Sequence, residues 1–240
     1  MAQVFPKGAN TLARTSLFCA VAAPLLLFYI GSTITRSGFN TKVDVPIDQP
    51  IPFSHEHHAN ELGIDCRYCH TTVEKSSFAG IPPTHTCMSC HSQIWTNSPL
   101  LEPLRESYRT GVPLRWTRVN KLPEFVYFNH AIHVNRGINC NNCHGPVQTM
   151  QLTYKGKPFF MKFCVDCHRN PEGYIRPKNE VFDLYYRSQK NAPDLSPDER
   201  ELLISPHYTP SQKRVEEGKQ RMNKLNIRKE QLTDCWVCHR

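Results

Sequence analysis

Ten of the eleven cysteines form pairs separated by two residues, and a histidine follows the second cysteine of every pair. The five sites are Cys66/Cys69/His70, Cys87/Cys90/His91, Cys140/Cys143/His144, Cys164/Cys167/His168 and Cys235/Cys238/His239. Chance placement would give on the order of 0.02 such motifs in a chain of this composition. The spacing has a chemical reason. Two thiols one helical turn apart can each add to a vinyl group of the same haem, making two thioether bonds. The histidine that follows then points under the macrocycle and binds the iron as proximal ligand. The reading is five covalently attached haem c groups, with His70, His91, His144, His168 and His239 as proximal ligands. Only Cys19 is left over.

Zinc is the competing chemistry, because the 17 residues between Cys69 and Cys87 and the 20 between Cys143 and Cys164 suit a zinc ribbon. A ribbon has no use for a histidine after every second cysteine, and Cys235/Cys238 has no partner pair. Reduced zinc thiolates are also out of place in an exported chain.

The sixth ligands follow from an internal duplication. Phe53-Ser-His55-Glu-His57-His58 precedes Gly63-Ile64-Asp65-Cys66, and Phe128-Asn-His130-Ala-Ile-His133 precedes Gly137-Ile138-Asn139-Cys140. Each copy is F-x-H-x-x-H, then G-I-[DN]-C-x-x-C-H, then a second CxxCH. Two attachment sites per copy need two distal ligands, and each copy supplies two: His55 and His58, then His130 and His133. Histidines three residues apart lie on one side of a helical turn and cannot clasp one iron from both faces. Each pair is therefore expected to bridge two haems. His57 has Ile132 as its counterpart and is expected at the surface or beside a ligand. His85, two residues before Cys87, is too close to reach across that haem. For the fifth haem the candidates are His207, Met150 and Met161, with apolar packing (for the methionines) or a loop position (for His207) as the alternative. His/Met ligation would raise its potential above that of a bis-His haem.

These sites need an anchor and a scaffold. Between Arg14 and Arg36 lie 21 uncharged residues, enough for a helix of about 31 Å, the thickness of a hydrocarbon core. Pro24 inside it is tolerated by a membrane helix. A cleaved signal at Ala20-Val21-Ala22 would leave most of the apolar run behind, and Phe18 does not suit a lipoprotein signal at Cys19. Haem is attached covalently outside the bacterial cytoplasm, so the body is expected in the periplasm and the N-terminus in the cytoplasm. The location is the inner membrane, crossed once. The expected organisation is a tail (1–14), the anchor (15–36), a first dihaem repeat (37–100), a linker (101–122), a second dihaem repeat (123–175) and a C-terminal segment with the fifth haem (176–240).

The chain of 240 residues has 39% apolar residues and a mean hydropathy of −0.50, which excludes a polytopic membrane protein. Its 19 prolines predict short helices and many turns, so the fold expected is mostly α with extensive irregular loops. The haems themselves serve as core. Ser196-Pro197-Asp198-Glu199 resembles a capping box, and Ser211 to Leu225 a further helix. The formal charge of +8 is spread along the chain, which argues against nucleic-acid binding. Haem propionates, about two per haem, would offset that charge.

The F-x-H-x-x-H element with paired CxxCH sites resembles the class III multihaem cytochromes, of the c3 and c7 type. Three further features are similar to the pentahaem cytochrome c subunit of bacterial alternative complex III. They are the anchor, Phe78-Ala79-Gly80-Ile81-Pro82-Pro83 before Cys87, and Cys164-Val165-Asp166-Cys167-His168-Arg169-Asn170-Pro171-Glu172. The resemblance spans most of residues 15 to 175 and the last haem site, while Ile175 to Gln231 matches little. It implies an electron-transfer subunit of a quinol-oxidising complex. Its neighbours would be an iron-sulfur subunit, polytopic quinol-binding subunits and a monohaem cytochrome c, with a cytochrome c or terminal oxidase as acceptor. Two alternatives compete. One is a stand-alone, membrane-anchored quinol dehydrogenase feeding a periplasmic reductase. The other is a multihaem reductase, which would need a haem with an open sixth position. No sequence feature marks one, and no catalytic residue is assigned.

Overall fold

The computed structural model describes residues 4–183 and 210–239. His207 and the Ser196–Glu199 capping box fall outside them. The chain divides into two units, Met1–Val43 and Asp44–Arg240.

The first unit is dominated by α1 (Ala9–Arg36), 28 residues with Pro24 inside and no buried side chain. It starts earlier than the apolar run because Ala9, Leu12, Ala13 and Arg14 are good helix formers and nothing breaks the turn after Gly8. The Ser37 amide closes its last turn on the Ile34 carbonyl at 3.2 Å, and the single turn α2 (Gly38–Thr41) follows. By length and composition α1 can cross a membrane.

The second unit is helical and irregular. Among the described residues there is no strand, only isolated bridges at Pro46/Tyr154 and Ile138/Ile175. Every CxxCH lies on a short helix: α3 (Cys66–Cys69), α4 (Thr84–His91), α7 (Cys140–His144), α8 (Met161–Arg169) and α10 (Cys235–Cys238). Between them come α5 (Glu102–Thr110), α6 (His130–Asn135) and α9 (Gln212–Lys224). Ser211 caps α9, its hydroxyl accepting from the Arg214 amide at 3.3 Å.

Helices of four or five residues bury no continuous apolar stripe. The side-chain core is accordingly thin. One cluster joins Ile51, Leu101 and Leu104; another joins Val73, Val134 and Val181. The longer α9 is seated by Gly218, where a Cβ would collide with the Glu172 carbonyl, and Lys229 reaches the Glu172 carboxylate at 2.8 Å. The resulting frame suits bulky apolar cofactors that fill the spaces the side chains do not.

Candidate haem-binding sites

The two repeats fold alike in detail. Phe53 lies edge-on to His55 (4.9 Å, 89°) and flat on His58 (4.5 Å, 26°). Phe128 does the same to His130 (4.8 Å, 90°) and His133 (4.4 Å, 27°). The chain then reverses through a left-handed glycine, Gly63 at φ 67° or Gly137 at φ 89°. The following isoleucine amide returns to the histidine carbonyl, Ile64 to His58 and Ile138 to His133, both at 3.0 Å. Asp65 and Asn139 cap the CxxCH helices, accepting from Arg67 at 2.8 Å and Asn141 at 2.9 Å.

The repeats also hold each other. The Glu56 amide donates to the Met150 carbonyl and the Ala131 amide to the Ser76 carbonyl, both at 3.1 Å. Each F-x-H-x-x-H turn is thus docked on the segment that follows the first CxxCH of the other copy.

Proximal and distal candidates come together in pairs. The rings of His58 and His91 have centroids 6.2 Å apart, His130 and His144 6.2 Å, and His133 and His168 6.0 Å. Two imidazoles on opposite sides of one iron, with bonds of about 2 Å and about 1.1 Å from nitrogen to ring centre, stand about 6.2 Å apart. His55 lies among the same imidazoles: burial first, then His70, His58 and His144, disfavour its protonated form.

In all nine of these histidines Nδ1 is engaged. Seven donate it to backbone carbonyls: His70 to Gly80 at 2.7 Å, His91 to Ile94 at 3.2 Å, His168 to Leu232 at 2.7 Å, His239 to Phe125 at 3.1 Å, and His58, His130 and His133 to Ser54, Ser77 and Asn129 at 2.8 Å each. His55 uses the Thr153 hydroxyl at 3.1 Å. His144 lies 3.0 Å from the Asn120 amide nitrogen, while the buried Asn120 Oδ1 has no partner; a half-turn of the amide makes that oxygen the acceptor. Engaging Nδ1 fixes the tautomer and turns Nε2 toward the iron.

The environment fits the same group. Burial pushes His55 and His144 down to about 4 and lowers His58, His130 and His133, so these rings are neutral, as iron requires. Among the described residues no group of three or more His, Cys, Asp or Glu side chains is placed to hold a metal ion by itself. Buried amide atoms without partners crowd the third site, on Asn120, Asn141, Asn142 and Gln148. Haem propionates only accept, so they can take the unpartnered donors among them, Asn142 Nδ2 and Gln148 Nε2.

The sites form a row. Burial and then Cys87 and Cys90 raise the Cys69 thiol. Burial and then Cys66 push Cys140 up to about 12. Burial, followed by Cys167 and Cys164, does the same to Cys143. Burial and then Cys238 raise Cys164. These influences make neighbours of the second and first sites, which the Tyr68 and Ser89 hydroxyls also join at 2.7 Å, of the first and third, of the third and fourth, and of the fourth and fifth, where His168 donates to the Leu232 carbonyl at 2.7 Å. The fifth is tied in by the Tyr127 amide on the Cys238 carbonyl at 2.8 Å.

Other expected residues are placed as follows. His57 pairs with Glu61 at 2.7 Å and sets its ring edge-on to His58 at 5.4 Å. His85 is exposed on α4. Met150 is 1% exposed and its carbonyl accepts from the Glu56 amide of the first repeat, whereas Met161 is 67% exposed on α8. The carbonyls that fix seven of the nine Nδ1 atoms had no sequence signal, because any residue supplies a carbonyl. Asn120 and Thr153 had none either.

Residues 126–191 match the model of the family described as cytochrome c7 and related cytochrome c. This part of the chain is thus similar to a cytochrome c7-type multihaem domain, a family whose members hold haem c covalently. The chain is also similar to the menaquinone reductase multiheme cytochrome c subunit of Nitratidesulfovibrio vulgaris (strain Hildenborough). The two are 35% identical over 133 residues, 52% of this chain and 60% of the relative. The match thus spans about three fifths of that relative's length.

Proposed function

We propose that this chain is an electron conduit carrying five haem c groups, anchored in the bacterial inner membrane by α1, with its tail in the cytoplasm and its haem domain in the periplasm. It passes electrons from a quinol-oxidising membrane complex of the alternative complex III type to a cytochrome c or a terminal oxidase. An iron-sulfur subunit, polytopic quinol-binding subunits and a monohaem cytochrome c are its partners. The observation that carries the reading is the ring-to-ring pairing of His58 with His91, His130 with His144 and His133 with His168. That leaves His55, which this reading gives to His70, the one proximal candidate of the two repeats not already paired. With both axial positions filled, a haem exchanges electrons and binds no substrate. The protein's part is to attach, orient and crowd: the thiols fix each macrocycle, the engaged Nδ1 atoms lock the imidazoles, and the reciprocal docking of the repeats draws neighbouring sites together. A second reading has the electrons running toward a quinone, and the name of the N. vulgaris relative favours it.

The test is spectroscopic. A pyridine haemochromogen assay on the purified protein is expected to give five c-type haems per chain. Replacing His133 by Ala is expected to convert one low-spin haem to high spin. Retention of every low-spin haem in His133→Ala, with no ligand recruited, overturns the assignment. Adding reduced or oxidised menaquinone analogue to the membrane complex then separates the two directions.

A further inference from the structure

We propose that Trp95 is a positioning residue that holds the two axial histidines of the second haem, His58 and His91, crossed. Their counterparts in the other repeat, His133 and His168, stand nearly parallel. The proposal rests on the five-haem reading above and deepens it.

His58 and His133 occupy the same position of the duplicated motif, and each faces the second CxxCH histidine of its own copy. The planes of two imidazoles on one iron both contain the axis through the metal, so the angle between them is the twist about that axis. It is 62° for His58 and His91, against 21° for His133 and His168 and 6° for His130 and His144. The distal rings do not account for the difference. Each lies flat on its phenylalanine, at 26° and 27°, and each donates Nδ1 to the carbonyl four residues earlier at 2.8 Å. The proximal rings differ. His168 is held by the Leu232 carbonyl, 64 residues away, whereas His91 is held by the Ile94 carbonyl, three residues on.

His91 ends α4, and a carbonyl three residues later reaches back to it only if the chain turns sharply. Trp95 makes that turn. Its φ of 56° is left-handed, a conformation that a bulky residue rarely adopts, and this dihedral rotates the peptide plane that carries the Ile94 carbonyl. The plane is anchored on both sides, by the Ile94 amide on the Cys90 carbonyl at 3.0 Å and the Ser98 amide on the Trp95 carbonyl at 3.1 Å. Strain of this kind persists where its surroundings over-determine it, and it gathers at ligand clamps. The consequence is electronic. Crossed rings donate π density to both upright d orbitals of the iron and parallel rings to one, so axial geometry becomes a lever on the haem. The hole on the ferric second haem is then not confined to one direction across the macrocycle. That suits a site whose Cys90 is exposed.

The experiment uses the full-length, haem-loaded, fully oxidised protein in detergent. Haem is counted first, and the peptide bearing Cys87 and Cys90 is checked by mass for its adduct. Electron paramagnetic resonance separates the two classes, because crossed bis-His haems give a single low-field line and near-parallel ones a rhombic spectrum. The low-field line is expected, and it is expected to lose one haem of intensity in the Cys87→Ala/Cys90→Ala double variant. Trp95→Pro, which fixes φ at about −65°, is expected to move one haem from the low-field to the rhombic class with every haem still low-spin. Trp95→Asn, which tolerates the left-handed turn, is expected to keep the wild-type spectrum, which a role for the indole in packing alone would not allow. Where Trp95→Pro does not accumulate, Trp95→Val replaces it with the same expectation, since a branched Cβ is excluded from that turn. Five low-spin haems without the low-field line, or a line at full intensity in the double variant, overturns the crossing and leaves the five-haem reading intact. Equal spectra for Trp95→Asn and its Pro or Val counterpart overturn the role of Trp95. A Cys87 peptide without haem overturns both the proposal and the five-haem reading.

Discussion

The two F-x-H-x-x-H repeats differ by one residue in the loop that follows, and the structure shows where that residue goes. From His58 to Ile64 is six positions; from His133 to Ile138 is five. Both isoleucine amides nevertheless reach their histidine carbonyl at 3.0 Å. The first repeat absorbs the surplus by widening its turn into a π-helix (Glu56–Glu61), in which the Leu62 amide reaches the His57 carbonyl. The second stays α-helical in α6. A one-residue insertion is what a π-turn accommodates. What both repeats keep is the histidine-to-glycine return and the cap on the CxxCH helix. Spacing is free to vary, and the ligand geometry is not. The repeats differ also in depth. The third site, in the second repeat, lies in the middle of the row, and burial pushes Cys140 and Cys143 up to about 12. Cys90, at the far end of the row, is exposed.

That difference in depth gives the largest expected effect. Replacing both Cys140 and Cys143 by Ala removes the covalent hold on a macrocycle whose propionates can take the otherwise unpartnered Asn142 Nδ2 and Gln148 Nε2 donors. Each buried donor left unsatisfied costs about 1–3 kcal/mol, and the two together are a large part of the stability of a domain. No folded haem protein is expected in membranes, by haem stain of a denaturing gel. Replacing Cys87 and Cys90 by Ala is expected to leave a membrane-bound protein with four haems. Equal yields of the two double variants would show that the sites do not differ in depth.

The sequence made the attachment chemistry legible because covalent ligation demands fixed residue types at fixed spacing: Cys66, Cys69 and His70 can be read without any fold. The duplicated pairs His55/His58 and His130/His133 were legible for the same reason, as a repeat in register with those sites. The mostly helical, loop-rich class followed from the prolines. The row of sites was not legible, because it depends on the docking of Glu56 on Met150 and Ala131 on Ser76, contacts made by backbone atoms that carry no residue signature. The π-turn was hidden too. A surplus residue is visible in an alignment of the two copies, but whether it forms a loop or a widened turn depends on hydrogen bonds.

The second expected effect tests the surplus residue itself. Deleting Ala59 gives the first repeat the spacing of the second, and its turn is expected to close into an α-helix like α6. Haem content is expected to stay at its wild-type value, with Tm changed by no more than a few degrees, about 1 kcal/mol. The converse change is expected to be worse. An alanine inserted after Asn135 must displace Val134, which is 7% exposed and part of the cluster with Val73 and Val181. Overpacking or shifting such a side chain costs about 1–3 kcal/mol, read as a clearly lower Tm. Equal losses in the two variants would mean that the π-turn is required at the first repeat rather than tolerated there.

The smallest effect is expected at the one chemical difference inside the duplicated motif, His57 against Ile132. His57 lies between two ligand candidates in sequence, and it touches His58 edge-on at 5.4 Å and Trp95 flat at 6.2 Å. Its Nδ1, though, is committed to Glu61, and the side chains of this pair are 45% and 58% exposed. An exposed pair four residues apart contributes at most about 0.3–0.5 kcal/mol. Ile132 shows that the motif works with an aliphatic residue here, and it too is exposed, at 59%. His57→Ile is therefore expected to keep every haem low-spin and to change stability by less than about 0.5 kcal/mol. Visible spectra and thermal melts check it. A new high-spin haem in His57→Ile would move the ligand role within the first repeat from His58 to His57, and the correspondence of His58 with His133 would fail.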